Sequence, residues 1–387
     1  MTEQGTLAQR LAERIVALRY DVLPADVVAR AKDAVIDQLG VQLIGSTMAW
    51  NNTIYEVVNE AGGRAESTVV NHGTKLPAHE AAFVNATFGQ GCELDDGLRD
   101  LDGNTAGHAG AMTVPVALAL SERRPADGKT VIAAIVAGYE TAFRLGQGMQ
   151  GSHRRGFHNQ SVIGPFAATD DAGPLDAAID RFGTEYGILR AGHKLYPVVS
   201  NLQSPIFQLE EIVKERGITA DDVEWIDVWM ATHSIEHGAS ISVPKDAMGA
   251  QVSLAFSLAI RLLKGSNDLS LYADPALWRD PDVARVCRTV RAHNDDTRFV
   301  GANDRGCHMT VTLRDGRTIE KHEEYPKGQP ENALTHDEIK DKFRRLAGAV
   351  VPRRAVDEVL RIVNRLEAVD DVGAIAPLLR AQPPART

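Results

Sequence analysis

The feature that most constrains the fold is a change of hydrophobic period along the chain. Apolar residues recur at helical spacing before Thr169 and after Thr335, while β-type alternation is concentrated between Val223 and Tyr325. Leu7, Leu11, Ile15 and Leu18 share one helical face. A second helix follows Pro24 and carries Val27, Val28, Ala31, Val35 and Leu39. PAHEAAFVNATFGQG, MTVPVALALSE and GKTVIAAIVAGYETAFRLGQG are further helical runs, with one short β-like run at Ser67–Val70. After Asp221, VEWIDVWMA reads as a strand and GAQVSLAFSLAIRLLKG as one long helix. CHMTVTLRDGRTIEKHEEYP reads as a hairpin turning at Arg314–Arg317. Past Thr335, which forms a capping-box pattern with Glu338, amphipathic helices return. The expected fold is mainly α with a smaller α+β lobe. Residues 1–188 and 327–387 form a discontinuous helical domain, and residues 189–326 form the lobe.

The 387 residues carry a formal net charge of -10, and their Lys and Arg are scattered. No basic stripe is present, so nucleic acid is not an expected partner. Cys92, Cys287 and Cys307 are far apart and odd in number, which points to a reducing compartment and no disulfide framework. No apolar run reaches the length of a membrane span, and the N-terminus lacks the apolar core of a signal peptide. A cytoplasmic protein with no membrane partner is expected.

Chemistry concentrates in Gln90–Pro115, QGCELDDGLRDLDGNTAGHAGAMTVP. Glu93, Asp95 and Asp96 crowd three carboxylates into four positions, and His108 follows a Gly-, Asp- and Asn-rich stretch. With helical segments on both sides, the stretch reads as an acidic loop between helices. Clustered carboxylates raise one another's pKa, and a histidine holds or releases a proton near neutral pH. The competing reading is a solvated acidic turn. A second concentration is GSHRRGFH, with His153, Arg154, Arg155 and His158. Imidazoles and carboxylates together suit zinc or iron, but the spacing matches no chelate, so no metal and no other cofactor is expected. Tyr139 and Glu140, inside a helix, are read as packing residues.

These pieces in this order resemble the MmgE/PrpD family, which includes 2-methylcitrate dehydratase, cis-aconitate decarboxylase and iminodisuccinate epimerase. The residues that carry the resemblance are ELDDG with His108 and Pro115, GYE at Gly138–Glu140, RGFH at Arg155–His158, KLYP at Lys194–Pro197, AQVSLAFSLA at Ala250–Ala259, and GQPENALTHDEIKDKFRRL. The resemblance implies an all-helical domain with an α+β lid domain, a homodimer, and a metal-free site between the lobes. It implies acid–base chemistry on a carbon next to a carboxylate. Asp95 or Asp96 is then the base or the group that orients a histidine. His108 is then the general acid, with His158 ranked equal to it, and Lys194 lies at the pocket. Glu93, Arg155 and Gln203 are placed against the substrate, a small polycarboxylate.

The departures are as specific. Relatives carry several dozen more residues after about position 169, including a Lys–His motif, where GPFAATDDAGPLDA closes the gap here. Gln203 stands where relatives often have His, Phe256 where the decarboxylase branch has Tyr, Gly97 where many have Thr, and Glu93 for the first Asp of a DxDD pattern. The leading expectation is a dehydratase of a hydroxylated di- or tricarboxylate. The alternatives are an epimerase of a dicarboxylate such as iminodisuccinate, and a shortened relative with little activity that acts as a binding or dimerisation protein.

Overall fold

Helix α1 (Leu7–Ala17) starts where the Thr6 hydroxyl accepts from the Gln9 N–H and the Gln9 side chain returns the bond, a reciprocal cap. The computed structural model describes residues 6–99, 105–147 and 179–381. Helix α2 (Ala25–Gly45) is buried on nearly every side and is the axis of the first unit. Helix α3 (Ala49–Ala61) and the two-residue strands β1 (Ser67–Thr68) and β2 (Lys75–Leu76) lead to α4 (Ala78–Gln90). Strands β3 (Asp96–Arg99) and β4 (Thr105–Gly107) come next, then α5 (Ala109–Arg123), α6 (Gly128–Gln147) and β5 (Ala191–His193).

Beyond β5 come α7 (Gln203–Arg216), β6 (Val223–Met230), α8 (Thr232–Gly238), α9 (Ala247–Gln251), α10 (Leu254–Lys264), α11 (Leu269–Tyr272) and α12 (Pro281–Cys287). Strands β7 (Val290–Asn294), β8 (Cys307–Leu313) and β9 (Thr318–Glu323) follow, then α13 (His336–Gly348) and α14 (Arg353–Asn364). The chain divides into two compact units. One comprises Met1–Gly91, Asp95–His193 and Leu334–Thr387; the other comprises Cys92–Leu94 and Lys194–Ala333. The expected lobe ran from residue 189 to 326; residues 327–333, expected in the helical domain, go with the second unit. Residues 191–193 go with the first unit because β5 is hydrogen-bonded to β3 there.

In the first unit α2 packs against α4, α5 and α13. Ile339, Phe343 and Leu346 of α13 are buried, and Phe343 meets α2 at Gly40. A Cβ on Gly40 would come within 3.2 Å of the Phe343 ring, so the small residue sets the helix separation. Each such apolar side chain contributes roughly 1.5–3 kcal/mol on burial.

The acidic stretch differs from expectation. It is no loop between helices: β3 is the middle strand of an antiparallel three-stranded sheet, order β4-β3-β5. Its register pairs Asp96 with His193, Gly97 with Gly192 and Leu98 with Ala191. Strands of three or four residues are too short to display a period of two, and Gly on both strands weakens the strand signal further.

In the second unit a four-stranded sheet runs β7-β6-β8-β9, with β6–β7 parallel and the other pairs antiparallel. Its buried face carries Ile226, Val228, Met309 and Val311, in one core with Ile206 and Leu209 of α7 and Leu258 of α10. The segment read as one long helix is two. Ser253 takes an extended conformation, and its hydroxyl accepts from the Phe256 N–H, capping α10 afresh. Among the described residues, no helix is long and apolar enough to cross a membrane.

Candidate active site

His108 is the residue immediately before α5, and its ring is fixed by β3. Nδ1 lies 2.7 Å from the main-chain oxygen of Asp96 and 3.1 Å from Asp95 Oδ2. A carbonyl oxygen can only accept, so Nδ1 carries the hydrogen. In the neutral ring Nε2 is therefore the basic nitrogen. A carboxylate and a carbonyl on one side of an imidazole fix its tautomer and stabilise the imidazolium that forms when Nε2 takes a proton.

The two aspartates serve this arrangement differently. Asp95 is fully buried beside the imidazole. Asp96 turns to the core of the unit, where Oδ1 accepts from the Gly110 N–H at 3.0 Å and Oδ2 from the Tyr139 hydroxyl at 2.7 Å. Burial is the largest cause that pushes the Asp96 carboxyl up to about 7. The negative charges of Asp95 and Asp37 add to it, and the Tyr139 hydrogen bond and His108 oppose it. Both carboxylates thus lie behind the histidine, which favours orientation of His108 over direct proton abstraction by an aspartate. Gly110 is required by this packing: a Cβ there would come within 2.8 Å of both Asp96 Oδ1 and the Tyr139 hydroxyl.

Tyr139 was read as a packing residue; it is fully buried in a helix, and its hydroxyl in addition donates to Asp96. Burial followed by the Asp96 charge holds its own pKa well above the usual phenol value. His193, on β5 opposite Asp96, was not singled out from sequence. It is buried, and neither ring nitrogen has a hydrogen-bond partner among the described residues. Burial pulls its pKa down to about 4, so the ring is neutral at pH 7.

The remaining expected residues divide as follows. Glu93 and Lys194 belong to the second unit, where Lys194 Nζ donates to Glu93 Oε2 at 2.7 Å. Lys194 is 3% exposed and is not a solvated lysine at a strand edge. Glu93 sits at φ 52, a left-handed conformation uncommon outside glycine that recurs at functional sites. Gln203, expected against the substrate, is a backbone clamp. Its Oε1 accepts from the Leu195 and Tyr196 N–H groups, and its Nε2 donates to the Tyr196 and Val198 carbonyls. Those four bonds use both amide hydrogens and the oxygen's two acceptor positions. Arg155 and His158, like His153 and Arg154, lie outside the described residues. Phe256 is a core residue of the second unit, packed edge-on to Tyr272. A Cβ on Gly97 would meet no described atom within 4 Å. Among the described residues, no group of three or more His, Cys, Asp or Glu is placed to hold a metal ion.

Two family models match the chain. The model of the MmgE/PrpD N-terminal domain matches residues 9–177, and that of the MmgE/PrpD C-terminal domain matches residues 196–368. Similar proteins include a cis-aconitate decarboxylase-like protein, oryM, of Aspergillus oryzae, 22% identical over 481 positions covering 98% of each chain. A cis-aconitate decarboxylase of Aspergillus terreus is 22% identical over 94% of this chain and 93% of its own. The cis-aconitate decarboxylase of Mus musculus is 20% identical over 97% and 93%. The alignment to the Aspergillus oryzae protein is longer than the 387 residues of this chain, so that relative has additional residues within the aligned span.

Proposed function

The chain belongs to the MmgE/PrpD family, and from that premise we propose that it is a dehydratase acting on a small hydroxylated di- or tricarboxylate of the 2-methylcitrate type. Lyase chemistry is the coarse class that the family and its relatives support. The observation that carries the finer reading is the clamp on His108, with Nδ1–H held by the Asp96 carbonyl and the Asp95 carboxylate. It leaves Nε2 as a base whose protonated form is stabilised.

In the proposed step, His108 Nε2 takes a proton from a carbon next to a carboxylate. The bond from the adjacent carbon to its hydroxyl breaks, and the hydroxyl leaves as water after receiving a proton. The electron pair of the broken C–H bond becomes the alkene. Asp95 balances the charge gained by the imidazole, and such positioned acid–base catalysis contributes typically 10²–10⁴-fold. Arg155 keeps the substrate-binding role, His158 the proton-donor role and Lys194 the place at the pocket that the family resemblance implies.

The names of the relatives favour a second reading, decarboxylation of cis-aconitate. There a carbon–carbon bond releases carbon dioxide and the His108 imidazolium protonates the carbon left behind. Phe256 lacks the hydroxyl that the decarboxylase branch carries at that position. The two readings separate in one assay. 2-Methylcitrate and citrate are tested for alkene absorbance, and cis-aconitate for carbon dioxide release, each with the native chain and His108→Asn. Alkene formation abolished by the substitution supports dehydration. Carbon dioxide release with no alkene from either hydroxy acid supports the second reading. No turnover of any of them overturns both.

A further inference from the structure

Behind the acid–base cluster lies a second set of charges that the proposed step does not use. Lys342 of α13 donates to Asp37 Oδ1 of α2 at 2.6 Å, and both side chains are sealed from solvent, 1% and 2% exposed. One turn along α2, Asp33 pairs with His336 Nδ1, and the other ring nitrogen of His336 lies 2.9 Å from Asn364 Oδ1. Two apolar side chains of similar volume would hold α2 against α13 at least as well, because both charges have lost their hydration. What the ion pair supplies and an apolar pair cannot is an electric field.

That field falls on the cluster, because α2, which carries Asp37, packs against β3, which carries Asp96, and against α6, which carries Tyr139. Asp37 acts on Asp96 and Tyr139; Lys342 acts on Asp95; both act on His193. The other charged or titratable groups facing these residues are Arg30 and Asp33 around His193, Arg345 beside Lys342, and His108 beside Asp95 and Asp96. We propose that Asp37 and Lys342 are positioning residues for proton transfer: their buried ion pair sets the charge carried by Asp96, whose main chain holds His108, and so the pH range over which His108 works. The proposal rests on the reading of His108 as the proton-transferring group. The signs of the charges give it a direction. Asp37 is the member that acts on Asp96, so its negative charge favours a proton there. Lys342, 2.6 Å from Asp37, offsets that charge.

The test uses protein labelled with ¹³C at the aspartate carboxyl carbons, titrated by NMR, alongside the pH profile of kcat/KM on whichever substrate turns over. The Asp96 resonance is identified by its loss in Asp96→Asn. Asp37→Asn is expected to move the Asp96 titration down, and Lys342→Met to move it up. Lys342→Arg, which keeps the charge, is expected to leave it in place. Should either single variant fail to fold, the exchanged pair Asp37→Lys with Lys342→Asp decides, because it puts the positive charge on the side that acts on Asp96 and must lower its titration. Movements in these directions, followed by the kcat/KM profile, support the proposal. A titration that stays put, or moves the same way in both single variants, overturns it. The NMR titration does not depend on turnover. Shifted resonances in a chain that turns nothing over leave the ion pair's effect on Asp96 standing and count against the lyase reading alone. Turnover with an unmoved titration counts against the ion pair alone.

Discussion

Asp96→Asn is expected to stabilise the protein at pH 8 and to do little at pH 4. The native carboxyl is pushed from its ordinary value of 3.8 to about 7, chiefly by burial. In the unfolded chain it ionises near pH 4; in the folded chain it keeps its proton to about pH 7. Between those values the folded state binds more protons than the unfolded state, so stability falls as pH rises, by about 1.4 kcal/mol per pH unit. The contribution is fully present below pH 3.8 and is gone above pH 7, a total of about 4 kcal/mol. Asparagine has no charge to force into the core. Its oxygen can still accept from the Gly110 N–H, and its amide can donate to the Tyr139 hydroxyl. The variant is therefore expected to gain about 1.6 kcal/mol at pH 5 and about 4 kcal/mol at pH 7 and above. If the chain melts as one unit, the larger gain is roughly 5 °C in Tm. The readout is the difference between variant and native protein by denaturant unfolding at pH 5, 6, 7 and 8. The difference matters because other groups titrate in the same window. Glu140 and Glu323, both pushed up to about 7, follow the same sign as Asp96. His193, pulled down to about 4, has the opposite sign: its contribution is present above 6.5 and is lost as pH falls towards 4. A difference that does not change with pH, or a variant less stable at pH 8, would refute the reasoning.

Gly110→Ala drives a methyl group into Asp96 and Tyr139; a stability loss of about 1–3 kcal/mol with a fall in turnover is expected, measured by unfolding and steady-state kinetics. Thr335→Ala removes the hydroxyl that accepts from the Glu338 N–H, one arm of the α13 capping box, and keeps the main-chain N–H that donates to Glu338 Oε2; a loss of about 0.5–2 kcal/mol is expected with kcat/KM unchanged, and a kinetic effect would show that this end of α13 acts on the site. We also propose a homodimer, on the basis of the apolar Ala- and Gly-rich α6; light scattering at micromolar concentration is expected to give twice the chain mass of 41.9 kDa.

What was legible in the sequence is what lies close along it. Glu93, Asp95, Asp96 and His108 fall within one stretch, and their residue types mark acid–base chemistry without any structure. The long elements with a full period were equally plain: α2, β6, and the hairpin of β8 and β9. The partners that give the acids their character are distant. Tyr139 reaches Asp96 across 43 positions, and Lys342 reaches Asp37 across 305. No local pattern marks such a pair, and Lys342 lies in a helix whose Lys and Arg residues look uniformly solvent-facing. Gln203 failed as a site residue for the opposite reason. Its amide is consumed by carbonyls and N–H groups five to eight residues away, a local bond pattern that its position in a family motif does not reveal.

Asp95 and Asp96 show how far chemistry depends on this distant environment. They are chemically identical and adjacent, and sequence alone treats them as alternatives for one role. On the strand side, Asp96 meets a phenol and a helix N-terminal amide, both of which favour its anion, yet burial outweighs them and a proton is retained near neutral pH. Asp95 faces the His108 imidazole. One residue thus meets the histidine with its carboxylate, while the other meets it with its main-chain carbonyl. If both carboxylates faced the imidazole, the ring would carry two negative charges at close range and hold its proton too tightly to return it. Turning Asp96 inward avoids that, and sets one carboxylate and one neutral acceptor against His108 Nδ1.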